Sequence, residues 1–177
     1  MIQSTNITLR EITLEDTPLI IKWRNAPSVK NNFVYRGSLT EENHRKYYEE
    51  KILTGNVAQF IIVENESQAP IGSVYLRDID HENAKAEFGI FIGEENKRGK
   101  GYGKQAANLI CRYGFEKLGL NRITLRVFPY NLSAINAYES VGFKQEAYFR
   151  QDVKINGKFE DMIHMAILSS EYKNIYK

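Results

Sequence analysis

AEFGIFIGEENKRGKGYGKQAANLICRYGF, residues Ala86 to Phe115, is the stretch whose reading decides the fold. Its apolar run, Phe88 to Ile92, is dominated by aromatic and β-branched side chains and reads as a buried strand. Arg98-Gly99-Lys100-Gly101-Tyr102-Gly103 follows. The segment Lys104 to Leu118 then places apolar residues at Ala106, Leu109, Ile110, Tyr113 and Leu118, close to the spacing of one helical face. The order is strand, glycine-rich turn, helix. A helix start leaves backbone N–H groups unpaired and carries the positive end of the helix dipole. Glycines let a phosphate approach that backbone with no Cβ in the way. The stretch predicts a pyrophosphate cradle.

A Walker loop requires Gly, four residues, then Gly-Lys-Ser/Thr, and the chain has no such run. A dinucleotide fingerprint requires Gly-x-Gly-x-x-Gly, and Gly99-Lys100-Gly101 meets Lys104 where the third glycine belongs. The pattern that fits is Arg/Gln-x-x-Gly-x-Gly/Ala, carried by Arg98, Gly101 and Gly103. On these residues the chain resembles the GNAT N-acetyltransferase superfamily, whose members hold the pyrophosphate of acetyl-CoA in this turn. The resemblance assigns co-substrate binding to Arg98, Gly99, Lys100, Gly101, Tyr102, Gly103 and Lys104.

A second stretch, Phe128 to Phe143, agrees with the first. Asn131 and Ser133 are good helix-start residues, and Gly142 suits a helix end that needs a left-handed turn. Ala134, Ala137 and Tyr138 share one face, and on that reading Tyr138 is a packed aromatic. Asn-x-Ser-Ala-x-x-x-Tyr-x-x-x-Gly-Phe also resembles the second GNAT signature, especially in the branch of ribosomal-protein, spermidine and nucleotide-amino-sugar acetyltransferases. The resemblance implies that Asn131, with Ser133 beside it, contacts the CoA arm. It also implies that the Tyr138 hydroxyl protonates the leaving thiolate.

Composition sets the frame. With 177 residues, 42% of them hydrophobic, the chain has room for a sizeable core in one domain, residues 1–177. A formal charge of only +2, with both signs interspersed, gives no basic tract for nucleic acid. The single cysteine, Cys111, falls within the expected helix and reads as a small core residue. The three histidines, His44, His81 and His164, lack metal-ligand spacing, so no metal is expected. No signal-peptide pattern opens the chain and no apolar stretch approaches the ~20 residues of a membrane span. A cytoplasmic protein with no membrane partner is expected.

Along the chain, alternation predicts a strand over Ile7 to Ile12, and Thr13 to Asp16 predicts the start of a helix running through Trp23. Ala26 to Ser38 has no period and reads as a loop. Thr40 caps a second helix through Tyr47, Tyr48 and Ile52. Gln59 to Glu64 and Gly72 to Asp78 read as strands, as does Asn121 to Val127 after the central unit. Leu132 to Val141 is a short helix. Phe143 to Lys154 and Lys158 to Leu168 form a hairpin over Ile155-Asn156-Gly157, because Asn-Gly accepts the positive φ angles such turns need. The order β-α-α-β-β-β-α-β-α-β-β is an α+β arrangement around a mixed sheet. It is also the element order that the GNAT resemblance implies.

Acetyl transfer to an amine requires a free amine, an aligned thioester, stabilised oxyanion charge and a proton donor for the thiolate. In the GNAT family a splayed central strand binds pantetheine and polarises the acetyl carbonyl. Its counterpart here ends at Phe91, Ile92 and Gly93. Glu87 begins the same strand, between the apolar Ala86 and Phe88. It is either a general base with a pKa raised by burial or a solvated strand-end carboxylate.

In the family the amine is received by the first two helices, their connecting loop and the C-terminal hairpin. That places Trp23, Arg24 and Tyr35 at the acceptor. Trp23-Arg24-Asn25 resembles enzymes that act on nucleotide-linked amino sugars. The hairpin resembles spermidine acetyltransferases, with Glu41, Glu42, Glu49 and Glu50 as one acidic face or as a solvated helix surface. The resemblance therefore implies an acetyl-CoA-dependent N-acetyltransferase for an amino sugar or a polyamine, by direct transfer. A protein N-terminus as acceptor and a non-catalytic CoA-binding module are the alternatives. Tyr138 and Asn131 argue against the module. The family also admits a homodimer.

Overall fold

The computed structural model describes residues 2–175, so Met1, Tyr176 and Lys177 at the ends of the expected domain lie outside the described residues. Eight strands form one sheet in the order β1-β2-β3-β4-β5-β6-β8-β7. They are β1 (Ile2–Gln3), β2 (Ile7–Glu11), β3 (Ala58–Glu64), β4 (Pro70–Asp80), β5 (Lys85–Ile92), β6 (Arg122–Val127), β7 (Lys144–Ile155) and β8 (Lys158–Leu168). All neighbours run antiparallel except β5 and β6, which are parallel. The helices are α1 (Thr17–Asn25), α2 (Pro27–Lys30), α3 (Glu41–Tyr47), α4 (Tyr102–Glu116), α5 (Leu132–Val141) and α6 (Ser169–Ile175).

The α+β mixed sheet and its expected element order are present, with additions. Proline explains the first. Ala26, before Pro27, is extended (φ −63°, ψ 131°), which ends α1 at Asn25, and Pro27 then starts a new helical turn. The expected loop from Ala26 to Ser38 therefore begins with α2. After α3 the chain widens into a π-helical turn, Tyr48–Ile52. Thr40 caps α3 as expected, its Oγ1 accepting from the Asn43 amide at 3.2 Å. The Asn156-Gly157 turn has φ of 50° and 83°, as its composition requires.

Strand alternation divides the core. Phe60, Ile62, Val74, Leu76, Ala86, Phe88, Ile123 and Leu125 pack with Ala106, Leu109, Ile110, Cys111 and Phe115 of α4, and with α5 residues. Ile61 and Phe91 pack with Ile12, Ile20, Trp23 and Val29, on the side of α1 to α3. Each fully buried aliphatic or aromatic side chain contributes roughly 1.5–3 kcal/mol. Cys111 is fully buried, which pushes its thiol up and keeps it an inert core group. No helix among the described residues is long and apolar enough to cross a membrane.

Candidate functional site

Among the described residues, the glycine turn leaves a row of backbone amides free. Gly99 and Gly101 have φ of +73° and +78°, a region that side-chain-bearing residues avoid, and Gly101 caps α4. The first bond of α4 runs from the Gln105 amide to the Gly101 carbonyl at 3.2 Å, and among the described residues the amides of Gly99 to Lys104 donate to no backbone carbonyl. A Cβ at Gly103 would meet nothing within 4 Å, and no backbone strain requires glycine there. Its bareness leaves the helix start open, so these residues fit the diphosphate of CoA. Lys100 and Lys104 are exposed beside the turn, and Tyr102 opens the helix. Arg98 turns inward instead: its Nε donates to the Ile92 carbonyl at 3.0 Å and its Nη2 to Ser28 Oγ at 3.1 Å. The motif arginine braces the turn against the end of β5.

That end of β5 is open. The β5–β6 ladder consists of Lys85↔Arg122, Ala86↔Ile123 and Glu87↔Thr124, yet β5 continues to Ile92 and β6 to Val127. The two strands splay beyond Glu87, so among the described residues Phe88 to Ile92 pair only with β4 and leave one edge free. Phe91 lies edge-on to Trp23 and Phe33, with ring centroids 6.1 and 6.0 Å away. Gly93 is required by packing, since a Cβ there would overlap the Trp23 ring. Its amide donates to the Ile71 carbonyl at 2.8 Å.

Tyr138 reaches the splay from α5. Its ring packs on Phe88 at 5.5 Å and on Phe143 at 6.1 Å. Burial first, and the nearby Tyr75 phenol second, push its hydroxyl well above the ordinary tyrosine value. It therefore holds its proton. Asn131 caps α5, its Oδ1 accepting from the Ala134 amide at 3.3 Å, and its Nδ2 donates to Asn32 Oδ1 at 3.3 Å. Ser133 is exposed in the first turn of α5.

Glu87 is not in the apolar surround expected from Ala86 and Phe88. Alternation sends those two side chains to the opposite face of the sheet. The Glu87 carboxylate instead meets Arg77 Nη2 at 2.6 Å and Arg126 Nε at 3.3 Å. Beside it lies Tyr75, whose ring covers Gly89, a position where any Cβ would overlap it. Trp23 is 1% exposed and donates from Nε1 to Glu94 Oε1 at 2.7 Å, which makes it a core support for the end of β5. Arg24 stacks over the Phe33 ring, 3.5 Å from its centroid. Tyr35 is 66% exposed on the outer loop.

Tyr75, Arg77 and Arg126 were invisible as site residues in sequence. Period-two alternation puts Tyr75 and Arg77 on one face, but only the register Tyr75↔Gly89 and Arg77↔Glu87 brings them to the splay. The four glutamates of the expected acidic face lie outward: Glu41, Glu42, Glu49 and Glu50 are all exposed. Glu41 pairs with Arg45 and Glu50 with Lys46, each at 3.8 Å.

Comparison with known proteins agrees with this geometry. The acetyltransferase (GNAT) domain family matches residues 6–144. The chain is 31% identical to the N-acetyltransferase p20 of Bacillus licheniformis over 94% of each chain. It is 29% identical to the spermidine N(1)-acetyltransferase of Vibrio cholerae over 97% of this chain and 98% of that one. The crystal structure of the Vibrio cholerae spermidine N-acetyltransferase in complex with CoA and spermine superposes with a TM-score of 0.89, at 27% identity, over 97% of this chain and all of that one. With more than half of its length matched, the chain belongs to the acetyltransferase (GNAT) family.

Proposed function

We propose that this N-acetyltransferase, working as one domain over residues 1–177, moves an acetyl group from acetyl-CoA directly to a primary amine of a small molecule. The splay of β5 from β6, between the glycine turn and Tyr138, is the observation that carries the reading. When bound, acetyl-CoA supplies the activated acyl group. The Gly99 to Lys104 amides hold its diphosphate, and the free edge of β5 from Phe88 to Gly93 orients the rest. Asn131 and Ser133, at the start of α5, flank the CoA arm. Tyr138 keeps its proton because it is buried, and gives it to the departing sulfur. Glu87 faces the amine and receives its proton directly or through water.

The acceptor classes that fit the reading are a polyamine and an amino sugar, received by Arg24 and its neighbours with Tyr35 on the outer loop, while Trp23 supports the end of β5 from the core. The naming of a relative for spermidine, and its structure with spermine, support the polyamine side. We place the enzyme in the cytoplasm. The β7 edge, with Tyr148 and Phe149 exposed, supports a homodimer. Thiol release from acetyl-CoA, measured with polyamines, amino sugars and a peptide with a free N-terminus, tests the proposal. Turnover on a small amine is expected. Turnover on the peptide alone, or tight CoA binding without acetylation of any amine, would count against it.

A further inference from the structure

Three guanidiniums gather on the face of the sheet that carries Glu87 and Gly89: Arg77 from β4, Arg126 from β6 and Arg24 from α1. Glu87 answers the first two, at 2.6 and 3.3 Å. Arg24 is unanswered. Among the described residues it forms no hydrogen bond or ion pair, and its Nη1 is buried without a partner. Its guanidinium stacks on the Phe33 ring, 3.5 Å from guanidinium carbon to centroid.

The neighbours do not supply the missing charge. Burial holds Arg24 below the usual arginine value, and the groups that work against this are the phenols of Tyr75 and Tyr47. Burial pushes both phenols upward, so they stay neutral. His44, on the same helix as Tyr47, is buried against Thr17, and burial pulls it toward the neutral form. Glu94 is occupied by Trp23 and Lys22. The glutamates of α3 and the turn after it face solvent. An arginine does not shed its proton at working pH, and a half-buried cation with one enclosed, unpaired Nη1 gains from a counter-charge. Its planar fork matches a carboxylate or phosphate in two parallel hydrogen bonds.

We infer that the amine acceptor carries an anionic group, a phosphate or carboxylate, which seats on Arg24 above Phe33 while its amine faces Glu87 and the splay. The inference rests on the acetyltransferase reading and narrows its acceptor. A phosphorylated amino sugar has both ends. A polyamine brings only positive charge to a face where three guanidiniums meet the carboxylates of Glu87 and the outlying, exposed Asp78, which pairs with Arg77 at 3.7 Å, and like charges left in excess repel. The spermidine relatives share 29% of their residues with this chain, so side chains that line an acceptor site are free to differ.

The test uses matched acceptors. Thiol release from acetyl-CoA is measured with glucosamine 6-phosphate, glucosamine and spermidine, on the wild-type chain and on Arg24→Gln and Arg24→Lys. The phosphorylated sugar is expected to exceed its neutral twin by ~10-fold in kcat/KM, a difference of about 1.4 kcal/mol. Arg24→Gln should bring the ratio near one with acetyl-CoA affinity kept, and Arg24→Lys should retain part of it. Spermidine or glucosamine matching the phosphorylated sugar, or an unchanged ratio in Arg24→Gln, overturns the inference.

A second measurement separates this from failure of the acetyltransferase reading. With CoA filling the glycine turn, inorganic phosphate should raise the Tm of the wild-type chain by a few degrees and leave Arg24→Gln unmoved. No shift in the wild type overturns the anion site. A shift without turnover on any amine upholds the anion site and counts against acetyl transfer.

Discussion

Tyr102 and Glu64, 38 residues apart, meet where the glycine turn becomes a helix, the phenol donating to Glu64 Oε1 at 2.6 Å. From the other end of the turn, Lys97 Nζ reaches Glu64 Oε2 at 2.5 Å. Ser67 completes the set, and the three together, Lys97 foremost, hold the carboxyl down to about 2. One carboxylate on β3 thus clamps both ends of the glycine turn.

Glu64→Gln weakens that clamp without touching the reacting atoms. Its dissociation constant for acetyl-CoA should rise by ~10-fold, with kcat at saturation nearly kept. Calorimetric titration with initial rates checks both, and an unchanged affinity would remove Glu64 from loop positioning.

Tyr138→Phe removes one hydroxyl and leaves the packing on Phe88 and Phe143. Turnover should fall by roughly 10²–10⁴-fold, the usual worth of a positioned proton donor, with CoA affinity unchanged. Equal turnover in the variant would sink the assignment.

Gly103→Glu is the cleanest probe of the cradle. The added side chain meets no protein atom within 4 Å of its Cβ and no backbone strain, so folding should be preserved. A carboxylate over the helix start repels the diphosphate, and acetyl-CoA binding should drop by on the order of 100-fold. A thermal melt confirms the fold. Normal affinity in a folded variant would contradict the site.

His44 sets a pH dependence of stability. It is 2% exposed, bonded to Thr17 at 2.9 Å, with Nε2 unpartnered, and burial pulls its pKa below the ordinary 6.5. The unfolded chain therefore takes up the proton first. The contribution of neutral His44 is complete above 6.5 and is lost as pH falls through the depressed folded value. Tm should decline as pH falls below about 6.5, and His44→Gln should flatten that part of the profile. An identical profile in the variant would assign the slope to other groups.

Local chemistry made much of the fold legible. Gly101 caps α4, Gly142 ends α5 with φ of 112°, Thr40 caps α3, and Asn156-Gly157 turns the hairpin. Each is a preference of one or two residues for a backbone conformation, so it survives without knowledge of distant neighbours. α2 escaped because one turn after Pro27 is too short to show a period. α6 escaped because Ser169 to Ile175 follows a strand without a break.

The site divides along the same line. The shape of the glycine turn and the place of Tyr138 on α5 were readable because their residue types stand at fixed spacing within one element. The partners of Glu87, the clamp on Tyr102 and the unanswered charge of Arg24 were not. Each joins side chains from separate elements, brought together by strand register and helix packing, and the dielectric around them exists only once the chain has folded. The sequence by itself determined the turns, caps and alternating faces. Only the tertiary structure decided which charge meets which, because a charge's energy depends on its distance from others and on the water excluded around it.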